Sequence, residues 1–133
     1  MSNIKVKIIL SEAMETQKDG SGVNNLIINP VLVFRSKYIP TAASLAVTVL
    51  TSGIAANQNH TMEIRLVRVE SDEVLYTTDN NPFAMPDVKD NFYFNLNLNN
   101  IAFKATGEYK IVFIIDGSEY EEFFKLEADE SLI

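Results

Sequence analysis

The chain of 133 residues contains no cysteine and no tryptophan. The missing thiols exclude disulfides, thiolate zinc sites and cysteine nucleophiles. Histidine is nearly absent too, since His60 is the single one. A histidine base needs a nucleophile and an orienting group beside it, and no G-x-S-x-G or similar elbow occurs. His60 follows Asn57-Gln58-Asn59 and reads as a solvated residue at a loop end. The five glycines are scattered among turns, so no phosphate-cradling loop is present. Basic residues are outnumbered, 11 Lys and Arg against 18 Asp and Glu, for a formal charge of −7. That balance argues against nucleic acid and anionic membranes as partners. No long hydrophobic run exists either. The apolar stretch around Lys5 and Lys7 is short and alternating, too short for a signal peptide or a transmembrane helix. A cytoplasmic location is the expectation, with a virion as the alternative.

What the chain does have is alternation. Phe92, Phe94, Leu96 and Leu98 are interleaved with Tyr93, Asn95 and Asn97. Successive side chains of a strand point to opposite faces, so this is the pattern of a half-buried strand. Asn99-Asn100 reads as its closing turn. Tyr109, Ile111, Phe113 and Ile115 form the next even-spaced set, and Asp116-Gly117 is a hairpin signal. A two- or four-residue loop puts Tyr120, Phe124 and Leu126 on the face of Tyr109, Ile111 and Phe113. A three-residue loop would put Glu119, Glu121 and Lys125 there, so the even loops are preferred. Glu122 then falls on the apolar side.

The same grammar runs through the rest. Ile4, Val6, Ile8 and Leu10 alternate with Lys5 and Lys7. The composition of residues 11–18 suits a helix, but Asp19-Gly20 and the apolar run after Val23 point to one long hairpin. Leu45, Val47 and Val49 form another strand, as do Met62, Ile64 and Leu66. Residues 79–91 hold two prolines and many Asx residues and read as the longest loop. Strands are expected near 4–10, 23–34, 44–52, 61–69, 74–78, 91–98, 108–115 and 120–127. Many short strands with turn signals between them mean an all-β sandwich or barrel. Gly107-Glu108-Tyr109 is similar to the tyrosine corner of immunoglobulin-like sandwiches, with Tyr109 as the structural tyrosine. The expected fold is thus an immunoglobulin-like antiparallel β-sandwich of about eight strands. It forms one domain over 1–133, with an acidic tail at 128–133 expected to fray or to dock through Leu132 and Ile133.

The outline also resembles small bacterial and phage β-sandwich proteins of unknown function. It rests on Val6 to Leu10, Asp19-Gly20, Pro40 to Val47, His60 to Val67 and Phe103 to Gly117. The turn after Val67 departs from that outline, reading Ser71-Asp72-Glu73 where an Asp-Gly would stand. The resemblance implies the fold and no activity.

Few residues suggest chemistry. Asp79, Asp87 and Asp90 are the calcium candidates, weighed against the habit of Asx residues to make turns. Glu119, Glu121, Glu122, Glu127, Asp129 and Glu130 form an acidic run, which reads as a solvated face. Tyr38, Tyr76 and Tyr93 are the aromatics a sugar site could use. Val112, Ile114 and Phe123 fall outward together on the last hairpin, as interface candidates that the N-terminal hairpin or loop 79–91 could instead cover. The reading is a non-enzymatic protein-interaction or binding module, with no cofactor and no metal. A protein partner or a homo-oligomer is expected. A phage or virion assembly component and a calcium- or carbohydrate-binding sandwich stay open beside it.

Overall fold

The computed structural model of the protein describes residues 4–20, 22–85, 87 and 90–129. Glu130, Leu132 and Ile133, named above, lie outside them. Among the described residues there are ten strands and no helix. They are β1 (Lys5–Asp19), β2 (Gly22–Pro30), β3 (Val33–Ser36), β4 (Thr41–Ser52) and β5 (Gln58–Arg68). The series continues with β6 (Glu73–Thr77), β7 (Asn81–Met85), β8 (Phe92–Phe103), β9 (Gly107–Ile115) and β10 (Ser118–Ala128). One sheet has the order β2-β1-β4-β8 and the other β3-β10-β9-β5-β6, with β7 also paired to β5. Every described pairing is antiparallel except that of β3 with β10.

The core lies between the two sheets. Leu45, Val47 and Val49 of β4 and Leu98 of β8 are buried from one side. Ile64 and Leu66 of β5, Tyr109, Ile111 and Phe113 of β9, and Phe124 and Leu126 of β10 are buried from the other. Each fully buried aliphatic or aromatic side chain contributes about 1.5–3 kcal/mol relative to exposure. The fold is therefore a β-sandwich, as the alternation predicts.

The last hairpin has a two-residue turn, with Ile115 opposite Ser118. Asp116 and Gly117 both have positive φ, 48° and 83°, the conformation whose twist matches the flanking strands. Tyr120, Phe124 and Leu126 face the core, and Glu122 sits half-buried opposite Ile111. Residues 11–18 are strand, within the long hairpin of β1 and β2.

Three expectations about strand limits are corrected. The stretch 23–34 is not one strand. Pro30 has no N–H to continue the ladder, and Asn29 beside it takes φ 52°. Val31 donates to the Leu10 carbonyl at 2.9 Å, and the chain crosses to the other sheet as β3. The supposed loop 79–91 contains β7, an edge strand whose Pro82 lies opposite Thr61. An edge position tolerates proline because one side of the strand needs no donor. Asn99-Asn100 is not a turn. β8 runs on to Phe103, with Asn100 at φ 54° donating its N–H to Ser44 Oγ at 3.1 Å. The register of β4 against β8 shifts there, so the Asn pair marks a bulge.

The β1–β2 hairpin positions the site. β1 pairs with β4 over Lys5–Ser11 and with β2 over Ser11–Asp19, so the hairpin projects beyond β4. It arches over the outer face of its own sheet. There Asn95 of β8 donates from Nδ2 to Asn25 Oδ1 of β2 at 3.2 Å. Asn95 and Thr48 are cross-strand partners on the face opposite the core residues Val47 and Val49.

Candidate binding cleft

The arch leaves a cleft of about 560 Å³, open to solvent. Its floor is Ile9 of β1, Thr48 and Leu50 of β4, and Tyr93 of β8. Register places these together, because Ile9 pairs with Thr48 and Leu50 with Tyr93. The hairpin supplies the wall, with the amides of Gln17, Asn24 and Asn25 and the apolar Val23, Leu26 and Ile27. No acidic or basic side chain among the described residues lines it. Tyr93 is 42% exposed and Val23 56%.

Four polar side chains are buried among the described residues: Ser11, Thr48, Thr51 and His60. Three of them are partnered. Ser11 Oγ donates to the Ala13 carbonyl at 2.9 Å and Thr51 Oγ1 to the Phe92 carbonyl at 2.8 Å. His60 is described below. Thr48 is fully buried in the cleft floor, and its hydroxyl has no partner among the described residues. Burying a hydroxyl unpaired costs about 1–3 kcal/mol. A neighbouring threonine on the same strand avoids that cost, so the strand does not impose it.

His60 corrects the reading of a solvated loop-end residue. It lies in β5 and is 6% exposed, because β7 pairs alongside it and Phe83 stacks on its ring at 5.3 Å. Nδ1 is 2.6 Å from Asp116 Oδ2, and Nε2 is 2.7 Å from the Ala55 carbonyl. Both partners only accept, so both ring nitrogens donate and the ring is an imidazolium. The Ala55 carbonyl first, and then the Asp116 carboxylate, raise its pKa above the ordinary value. Asp116 also accepts the Thr61 N–H at 2.9 Å through Oδ1. With both nitrogens committed, His60 holds no lone pair toward a substrate. Its signal was present in the sequence: His60, Met62, Ile64 and Leu66 share one parity, so the apolar face reaches back to it.

The interface candidates do not form one apolar patch. Val112 is buried and Ile114 half-buried, while Phe123 is 43% exposed. Among the described residues, neither the N-terminal hairpin nor β7 covers them, since the hairpin lies over the other sheet and β7 extends β5. Register flanks Val112 with Arg65 and Glu121, and Ile114 with Glu63 and Glu119. Three of these four flanking side chains are ion-paired: Arg65 with Glu63, and Glu121 with Lys110. Arg65 bonds Glu63, and holds its carboxyl below the usual range; Glu63 also accepts from Thr77 at 3.0 Å. Lys110 is 3.3 Å from Glu121 and 5.9 Å from the centre of the Phe123 ring.

Tyr109 is buried, between Phe103 and Phe124, and its hydroxyl donates to the Ala105 carbonyl at 2.6 Å. Among the described residues, no group of three or more acidic, histidine or cysteine side chains could hold a metal, so Asp79, Asp87 and Asp90 are not gathered. The acidic run is partly paired, with Glu127 3.3 Å from Arg35. Tyr76 packs against the core, and Tyr38 is exposed with the Lys37 ammonium over its ring. No helix of the described residues is long and apolar enough to cross a membrane.

Comparison with known proteins adds a family. Residues 32–124 match the model of a family of unknown function, DUF6941. The chain belongs to this family. The matched span holds Thr48, Leu50 and Tyr93 and begins after the β1–β2 hairpin. No curated protein matches the sequence. Among solved structures the chain is similar to part of a β-glucosidase from Listeria innocua in complex with glucose, at 9% identity and a TM-score of 0.51. The likeness covers 96% of this chain and 16% of that one, and it concerns the fold. The same enzyme in complex with gluconolactone gives 9% identity, the same coverage and a TM-score of 0.47.

Proposed function

We propose that this protein is a non-enzymatic binding module on an immunoglobulin-like frame, and that the cleft under the β1–β2 hairpin is its binding surface. The frame reading is supported by strand order. β1, β4 and β8 stand as strands A, B and E of such a sandwich, and β5, β9 and β10 as C, F and G. The Tyr109 bond to Ala105, upstream of β9, is the corner contact that accompanies this order.

The observation that carries the binding reading is Thr48. A buried hydroxyl without a partner among the described residues, beneath the floor of an open cleft, supports a partner supplied from outside. The volume falls within the range of small-molecule sites, about 300–1,000 Å³. The outer face of the other sheet offers less support, because Val112 is buried there and the flanking Arg65–Glu63 and Lys110–Glu121 charges are paired.

The test is thermal unfolding in size-separated fractions of an extract of the source cell. One fraction is expected to raise the Tm of the wild type and to leave Leu50→Trp, whose added ring fills the cleft, unmoved. Circular dichroism of the variant establishes that it still folds. If no fraction raises the wild-type Tm, or if the variant responds equally, the cleft is not a binding surface.

A further inference from the structure

The cleft's lining also indicates the class of its ligand, if the binding reading above is right. We infer that it takes a neutral saccharide, stacked on Tyr93 and hydrogen-bonded by the hairpin amides and Thr48.

Charge comes first. Among the described residues no acidic or basic side chain lines the cleft, and register sets the cation Lys7 opposite Leu50 only at one end. A phosphate, carboxylate or ammonium in the body of the cleft would therefore lose water without gaining a charged partner. The net charge of −7 adds repulsion against anions. The ligand is therefore neutral. A purely apolar ligand fits no better, because it would strand the polar groups that share the lining.

A pyranose has an apolar C–H face and a rim of hydroxyls that both donate and accept. The cleft offers the complement of each. Leu50 and the exposed Tyr93 ring are cross-strand neighbours and form an apolar platform. Asn25 and Gln17 carry amides, which hold a donor and an acceptor on one planar group. Asn25 is also oriented, since its Oδ1 accepts from Asn95 at 3.2 Å. Thr48 holds a hydroxyl of the same dual character just beneath the floor, covered in the free protein and unpaired among the described residues. Tyr38 makes the contrast: it is 64% exposed, but a lysine lies over its ring.

The experiment is a ¹H–¹⁵N NMR titration of the full chain with methyl β-glucoside, maltose, cellobiose and diacetylchitobiose, each into the tens of millimolar. At least one sugar is expected to shift the amides of Asn25, Thr48, Leu50 and Tyr93 saturably. Raising the salt should leave its Kd unchanged, as for a neutral ligand. Tyr93→Ala, at an exposed position, should weaken binding about tenfold or more, and Thr48→Val should weaken it while keeping side-chain shape. Suppose none of these sugars shifts the cleft amides, but an extract fraction still protects the wild type and not Leu50→Trp. The saccharide class then falls and the binding reading stands. A protecting fraction that protease destroys would mean a polypeptide occupant, with the same consequence. Glucose 6-phosphate binding in place of the neutral sugars would likewise overturn the class. Should neither sugars nor fractions act on the cleft, both readings fail together.

Discussion

His60 and Thr48 are buried polar side chains on opposite sheets, and their surroundings treat them in opposite ways. Around His60 every polar atom has a partner: the Ala55 carbonyl on one nitrogen, Asp116 on the other, and Thr61 on the second carboxylate oxygen. The ring joins loop 53–57 to the β9–β10 turn, with Phe83 stacked against it. Around Thr48 the packing is equally close, yet the hydroxyl is unpaired among the described residues, and a cleft opens above it. The first arrangement is what stability alone would select. The second costs stability, and the cost is explained if the hydroxyl serves a visitor. On the proposed reading, closure at His60 is structural work and the opening at Thr48 is the binding surface.

The largest expected effect is at the closed site. His60→Ala removes two hydrogen bonds and the stack on Phe83, and should destabilise the fold by about 2–3 kcal/mol in urea unfolding. A loss below about 0.5 kcal/mol would mean that the His60 network is not a staple, and the contrast would dissolve.

The pH profile sharpens the same point. The folded pKa of His60 lies above its ordinary 6.5, held up by the Ala55 carbonyl and then by Asp116. Its contribution is complete below about pH 6.5 and is lost as pH rises through the folded value. Burial pushes Asp116 up, but the Thr61 N–H and His60 outweigh it and hold the carboxyl below 3.8. Its contribution is complete above about pH 3.8 and is lost as pH falls through the folded value. Tm against pH should therefore show a plateau between these limits and fall on both sides. His60→Ala should flatten the alkaline fall.

Tyr109→Phe is a milder case of breaking a satisfied pair. It leaves the Ala105 carbonyl without its donor and should cost about 1–2 kcal/mol by the same unfolding assay. A neutral substitution would remove the corner from the account. Smaller again is Phe123→Glu, at a site 43% exposed. It should change stability by no more than about 0.5 kcal/mol, because the ring is largely open and the neighbouring Lys110 would meet the new carboxylate. A loss of several kcal/mol would show that this face is covered after all.

Much of the sandwich was legible because one face of each strand is buried, which forces a period of two. Phe92 to Leu98 and Tyr109 to Ile115 are the clear cases. β7 was not legible, since Pro82 and the surrounding Asx residues are turn formers, admitted here because the strand is an edge. The bulge at Asn100 looked like a turn for the same reason: both use positive φ. His60 was misread because its partner Asp116 is distant in sequence and met only through the β5–β9 pairing. The cleft could not be read at all. Thr48 alternates as an ordinary outward residue, and what buries it is the arch of a hairpin, which periodicity does not encode. Tyr93 was picked out as an exposed aromatic, but its neighbours were not.

Thr48→Val separates the two roles at one atom, with stability and ligand protection measured on one preparation. The substitution keeps the shape and removes the unpaired hydroxyl. It should stabilise the free protein by about 1 kcal/mol, while reducing the protection given by whichever extract fraction or sugar protects the wild type. A destabilised variant, or one protected as well as the wild type, would contradict the claim that Thr48 is left unpaired for a ligand.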